Sequence, residues 1–143
     1  MKSAKDLLLG YLANINNADE AIKLFADDAT IELPFLNSLG LPWQWHGKDV
    51  LYKFLQNLPK TFPGFTFQDI KIHIDTPDQV FGEYSVQCIA ASTGRPYHQT
   101  YMGRLVAENG QIKLLREALD LAQVAKSMFP NGLADLSTKV KAQ

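Results

Sequence analysis

Residues 97–120 read YHQTYMGRLVAENGQIKLLREALD, and this stretch decides the fold. Asn109-Gly110 supplies two residues that tolerate positive φ. The alternating Gln99, Tyr101, Gly103 and Leu105 before it and Gln111 to Leu119 after it have the composition of paired strands. The pattern predicts a β-hairpin. Its register sets the chemistry, because a slip of one residue sends every side chain to the opposite face of the sheet. A loop of Asn109-Gly110 alone puts Glu117 across from Met102, on a face shared with Thr100 and Arg104. A loop of Glu108-Asn109-Gly110, with the glycine in the left-handed position of a bulge, puts Glu117 across from Tyr101, with Gln99, Leu105, Leu115 and Leu119 beside it. The second register is preferred. It gathers the larger apolar groups around one carboxylate and sends Lys and Arg mostly to the other side; only Lys113 fits it poorly.

A carboxylate among Leu and Tyr side chains is stripped of water, which raises its pKa toward a value useful for proton transfer. Glu117 is therefore the leading candidate for a catalytic residue, with Tyr11, Tyr101 and Gln99 able to place hydroxyl and amide groups beside it. The competing assignment is an ion pair with Arg116, Arg104 or Lys113 at the sheet surface.

The chain has 143 residues, enough for one well-buried core and too few for two ordinary domains. A single domain is expected over residues 1–132, with 133–143 as a C-terminal tail. Hydrophobic residues make up 46%, charged residues 20%, and the net charge is -1, with Lys and Arg scattered, so nucleic-acid and membrane partners are not expected. The Met1-Lys2-Ser3 start lacks the apolar core of a signal peptide, and a cytoplasmic location is expected. Cys88 is alone and falls in a strand-like stretch, where a small buried hydrophobe is the usual role. His46, His73 and His98 sit in different elements with no second ligand at metal-binding spacing, so neither metal nor cofactor is expected.

Upstream, Leu7, Leu8, Tyr11, Leu12 and Ile15 recur at helical spacing after the capping residue Ser3. Asn17 and Glu20 form a capping-box signature for a short second helix that Asp27-Asp28 stops. Thr30 to Leu33 reads as a strand ended by Pro34, followed by an aromatic loop from Phe35 to His46 in which Trp43 and Trp45 cover the open end of the core or wall a pocket. Gly47-Lys48-Asp49 opens a third helix that Pro59 ends, with Val50, Leu51, Phe54, Leu55 and Leu58 on its apolar side. Ile70, Ile72 and Ile74 alternate with Asp69, Lys71 and His73, the mark of a half-exposed strand. Val80 to Ala91 is a longer strand, and Asp120 caps a last helix that ends before Pro130. Helices first and long strands after, without alternation, argue for an α+β fold in which a curved antiparallel sheet wraps around the helices and encloses an apolar cavity.

The order of elements and several strings give a resemblance that covers nearly the whole chain: Tyr11 on the first helix, ADDATIELPF at 26–35, HGKD at 46–49, TGRPYHQTY at 93–101 and NGQIKLLREALD at 109–120. The chain resembles the nuclear transport factor 2-like superfamily, and within it the SnoaL-like and ketosteroid isomerase-like proteins. The resemblance implies a cone-shaped α+β barrel, a homodimer formed through the open face of the sheet, and a small apolar ligand in the cone. Leu33, Phe54 and Leu115 join Trp43, Trp45 and Gln99 as the expected ligand-binding residues. The general base of ketosteroid isomerase is an Asp whose place is held here by Leu33, so that steroid mechanism is not expected. Tyr11 matches a tyrosine of the isomerase's oxyanion network, and Tyr101 fills the place of its partner acid. The chain is also similar to phenazine-biosynthesis A/B proteins, whose acid/base Glu matches Glu117, while Phe54 stands where those proteins carry a histidine. The expected function is binding, with acid/base isomerisation, cyclisation or dehydration of a small apolar carbonyl compound. The alternative is a non-catalytic ligand-binding or protein-interaction module of the same fold.

Overall fold

The computed structural model describes residues 1–136. Helix α1 (Ala4–Ala13) starts at a full capping box, with the Ser3 hydroxyl accepting from the Asp6 N–H (3.2 Å) and the Asp6 carboxylate from the Ser3 N–H (3.3 Å). Helix α2 (Ala18–Ala21) is capped by Asn17 alone, because the Glu20 carboxylate turns to Lys23 instead of reaching back. A 3-10 turn, Ile22–Leu24, leads directly into strand β1 (Phe25–Glu32). The strand thus begins five residues ahead of its expected start, and Asp27-Asp28 lies inside it. The pairing explains the difference: between Phe25 and Thr30 the ladder to its neighbour is irregular, so the acidic pair stands out into solvent and does not end the strand.

The aromatic loop holds a 3-10 helix, Pro34–Leu39, and a short strand β2 (Gln44–His46). Helix α3 (Lys48–Thr61) continues two residues past Pro59, which sits in its last turn and forfeits one backbone bond before Phe62 N–H closes on the Leu58 carbonyl. Strands β3 (Phe67–Asp75), β4 (Gln79–Ile89), β5 (Pro96–Glu108) and β6 (Gln111–Leu119) come next, and then helix α4 (Leu121–Met128) under its Asp120 cap. Residues 133–136, the start of the expected tail, are described and bring Leu136 against the core; the rest of that tail lies outside the described residues.

One six-stranded sheet runs in the order β2-β1-β6-β5-β4-β3. All neighbours are antiparallel except β1 and β6, which are parallel, because the chain crosses from one to the other through α3 and the β3–β5 meander. The helices cover one face of this curved sheet, so the fold is the expected α+β cone. Gly82 and Gly103 lie directly opposite each other on β4 and β5 and leave a dent in that inner face. Leu8 of α1 fills the Gly82 side of the dent, where an added Cβ would come 3.5 Å from its methyl group and 3.0 Å from the Lys71 carbonyl.

Candidate functional site

The β5–β6 hairpin turns through Asn109-Gly110 alone, both at positive φ (54° and 72°), with Glu108 opposite Gln111. That is the two-residue loop, yet Glu117 faces inward. The extra residue lies beyond the turn: Ala107 pairs with Ile112 and Val106 with Leu114, so Lys113 is bulged out and every later pair shifts by one. Glu117 consequently stands opposite Gly103, not Tyr101 or Met102, and Tyr101 faces Leu119. The inner face holds the grouping that the preferred register predicts, reached through a bulge at the one residue that fitted it poorly. Lys113 itself bonds to Asp28 at the irregular part of β1.

Glu117 is 4% exposed. None of the three cations that could have paired it does so: Arg116 bonds Glu32 (2.8 Å), Arg104 bonds Gln79 (2.9 Å), and Lys113 bonds Asp28. Its partner is a phenol, with Tyr84 on β4 donating to Oε2. Burial pushes the Glu117 carboxyl up to about 7, and the Tyr84 hydrogen bond works in the opposite direction without cancelling it. Tyr11, buried on α1, has its phenol held well above the usual range first by burial and then by the Glu117 charge. Tyr101 lies over Tyr84 with ring centroids 6.0 Å apart, and its hydroxyl is 2.8 Å from that of Tyr97.

A cavity of about 360 Å³ opens onto this group. Glu117, Tyr11 and Tyr101 line it, as do Leu33, Trp45 and Phe54, the last two in ring contact at 4.6 Å. Among the described residues that line it, Glu117 is the single charged side chain. Three residues expected at the ligand lie elsewhere. Trp43 is outside the cavity wall, its carbonyl accepting from the Leu33 N–H (2.7 Å). Leu115 is wholly buried in the core. Gln99 is buried but closes the corner between β6 and α4, its amide donating to the Asp120 carbonyl (2.9 Å) and accepting from the Asp120 N–H (2.7 Å). Tyr84, which holds Glu117, is not among the residues expected from the sequence, nor are Phe62, Phe65, Phe67 and, from α4, Val124 and Met128, which line the cavity. Tyr84 carried a signal. It shares alternation with Val80, Val86 and Cys88, and the turn at 91–94 sets it opposite Tyr101.

The histidines are dispersed: His46 bonds Thr30 (2.8 Å), His73 lies 3.4 Å from Glu83, and His98 is exposed on the outer face. Among the described residues no cluster of His, Cys, Asp or Glu is arranged to hold a metal, and no helix is long and apolar enough to cross a membrane. Cys88 is partly buried, and desolvation pushes its thiol up to about 11, away from reactivity.

Comparison with known proteins agrees with this architecture. The family model described as a SnoaL-like domain matches residues 11–115. No curated protein matches the chain in sequence. Among solved structures, a candidate isomerase from Bacillus subtilis superposes with a TM-score of 0.76 at 22% identity, covering 90% of this chain and 93% of its own. A candidate polyketide cyclase from Xanthomonas campestris gives 0.73 at 19% identity over 87% of this chain and 95% of its own. A phenazine biosynthesis-related protein from Pseudomonas aeruginosa gives 0.72 at 20% identity over 87% and 84%. At these identities the likeness is one of fold.

Proposed function

We propose that this chain, which belongs to the SnoaL-like domain family, binds a small, largely apolar carbonyl compound in its cavity and moves a proton on it with Glu117. The observation that carries the reading is the pairing of Glu117, the one charged group among the described residues of the cavity wall, with a phenol in place of a cation. A carboxyl poised near 7 is half ionised at neutral pH, where a general base is most effective. With Oε2 held by Tyr84, Oε1 is the oxygen left to take a proton next to the ligand's carbonyl. The enolate oxygen that forms is stabilised by a hydroxyl of Tyr11 or Tyr101, both of which line the same cavity. Returning the proton at another carbon is isomerisation. Attack of the enolate on a second carbonyl is cyclisation, and loss of a β-hydroxyl is dehydration. The names of the structural neighbours, a candidate isomerase and a candidate polyketide cyclase, support chemistry of this class. The homodimer belongs to the same proposal. Ile89 and Met102, both well exposed on the outer face of the sheet, are the surface a second copy would cover.

The test is a screen of neutral carbonyl compounds for binding, followed by exchange of their α-hydrogens with deuterated water. Glu117→Gln should keep the ligand and slow exchange by about 10²- to 10⁴-fold, the usual contribution of a positioned base. Equal exchange by both proteins would discard the catalytic reading and leave a non-catalytic binding module.

A further inference from the structure

Tyr84 and Glu117 are on strands separated by β5, and so by two strand spacings, roughly 10 Å. A hydrogen bond between them has to pass over the β5 backbone. Tyr84 stands directly opposite Tyr101, while Glu117 stands opposite Gly103, two residues further along β5 on the same face. The phenol therefore leans diagonally, and the residue beneath its hydroxyl is Gly103. A Cβ added at Gly103 would sit 2.1 Å from the Tyr84 hydroxyl oxygen, 3.1 Å from its Cζ and 3.4 Å from Glu117 Cγ. The first distance is impossible without displacement.

Nothing in the backbone asks for glycine here, since Gly103 is absent from the positions of positive φ. Glycine inside a strand weakens it and leaves no side chain to pack. Its neighbour Gly82 is explained by the packing of Leu8 and the Lys71 carbonyl. At Gly103 the first atom a side chain would strike is the Tyr84 oxygen, and the nearest atoms around the added carbon all belong to the two residues bonded through that oxygen.

We propose that Gly103 is a positioning residue for Glu117: its missing side chain is the passage through which Tyr84 crosses β5 to grip Oε2 and leave Oε1 toward the cavity. The proposal rests on the reading of Glu117 as the proton-transfer group. The geometric part is tested without any substrate.

The experiment is a double-mutant cycle read by carbon-detected NMR titration of the Glu117 carboxyl in the wild type, Tyr84→Phe, Gly103→Ala and the double variant. Removing the phenol takes away a hydrogen bond to the charged form, so the Glu117 titration in Tyr84→Phe should move up by roughly one pH unit. Gly103→Ala should move it in the same direction by a similar amount, because the methyl pushes the hydroxyl away. In the Tyr84→Phe background the alanine meets no hydroxyl, only the ring Cζ at 3.1 Å, which needs to yield by a few tenths of an ångström and is no longer tied to Glu117, so it should add little further. The same cycle applies to folding: if Gly103→Ala alone fails to fold, the double variant should fold, the clashing oxygen being gone. A Gly103→Ala titration equal to the wild type would overturn the proposal. So would an equal shift with and without the phenol, or, where Gly103→Ala alone fails to fold, a double variant that fails as well. The outcomes separate cleanly from those of the functional reading, because a cycle that closes as described with no exchange activity would leave Gly103 positioning a carboxyl that is not a base.

Discussion

The two faces of β6 put two adjacent charged residues into opposite situations. On the outer face, Arg116 meets Glu32 of β1 across a register pair, and Glu32 also accepts from Gln44 (2.7 Å), so a glutamate near the surface is fully satisfied by a cation and an amide. On the inner face, Glu117 accepts from a phenol, in an aromatic cavity. The residue type is the same for both carboxylates. The difference is which side of the pleat they occupy, and it teaches that the sheet, through one bulge, turns an ordinary acid into one that titrates near neutrality.

The harshest way to break this contrast is to exchange the neighbours, in the double variant Arg116→Glu, Glu117→Arg. Composition and net charge are unchanged. Glu32 then faces a like charge, while a guanidinium sits in a cavity with no carboxylate among its lining residues to receive it. An uncompensated buried charge costs on the order of 3–5 kcal/mol, a large fraction of a small domain's stability of about 5–15 kcal/mol. Urea titration should show a collapse of the folding midpoint or no folded state. A midpoint near that of the wild type would mean that the two faces do not differ as described.

How much of this is legible in the sequence depends on what each residue's signal reports. The inward set on β6 can be read because Leu115 and Leu119 flank Glu117 at alternate positions while Arg116 takes the other side, with Leu114 as the exception on that outer side. The bulge at Lys113 cannot be placed, since an extra residue leaves no mark of its own; its trace is a lysine out of pattern, and the irregularity is assigned to the turn instead. On β3 the alternation of Ile70, Ile72 and Ile74 misleads. Two irregularities in its pairing with β4, and Asp69 at φ 52°, re-aim the strand and leave Ile70 and Ile74 exposed at the sheet edge. Gln99 points inward as expected, but whether a buried amide meets a ligand or ties a corner depends on where the chain goes at Asp120. Tyr84 is invisible as a partner for a similar reason: the bond runs across an intervening strand, and sequence spacing carries no information on what a side chain can cross.

A gentler probe sharpens the comparison through pH. The folded value of Glu117, about 7, lies above its ordinary value of 4.5, so folding disfavours the ionised form. Below about pH 4.5 the group is protonated in both states and costs nothing. Between there and 7 the unfolded chain ionises first, stability falls, and above 7 the loss is constant, at up to about 3 kcal/mol. Glu117→Gln cannot titrate. It should therefore unfold at a higher denaturant concentration than the wild type at pH 8, with the advantage gone by pH 4.5. If Glu117→Gln tracks the wild type from pH 4.5 to 8, burial is not what sets this carboxylate apart.

The smallest effect is expected on the outer face itself. Arg116 is about half exposed at its side chain, and Arg116→Ala leaves Glu32 with the Gln44 amide still in place. Pairs of this kind contribute roughly 0–1 kcal/mol, and salt screens them. The variant should lose no more than that in urea titration at low ionic strength and less at high salt, and its Glu117 should titrate as in the wild type. That last point bears most on the contrast. Arg116 and Glu117 are covalent neighbours, yet the strand backbone and the pleat lie between their charges, and one side is wet. A clear change in the Glu117 titration on removal of Arg116 would mean that the outer cation reaches through the sheet, and that the acidity of the cavity group is set by both faces together.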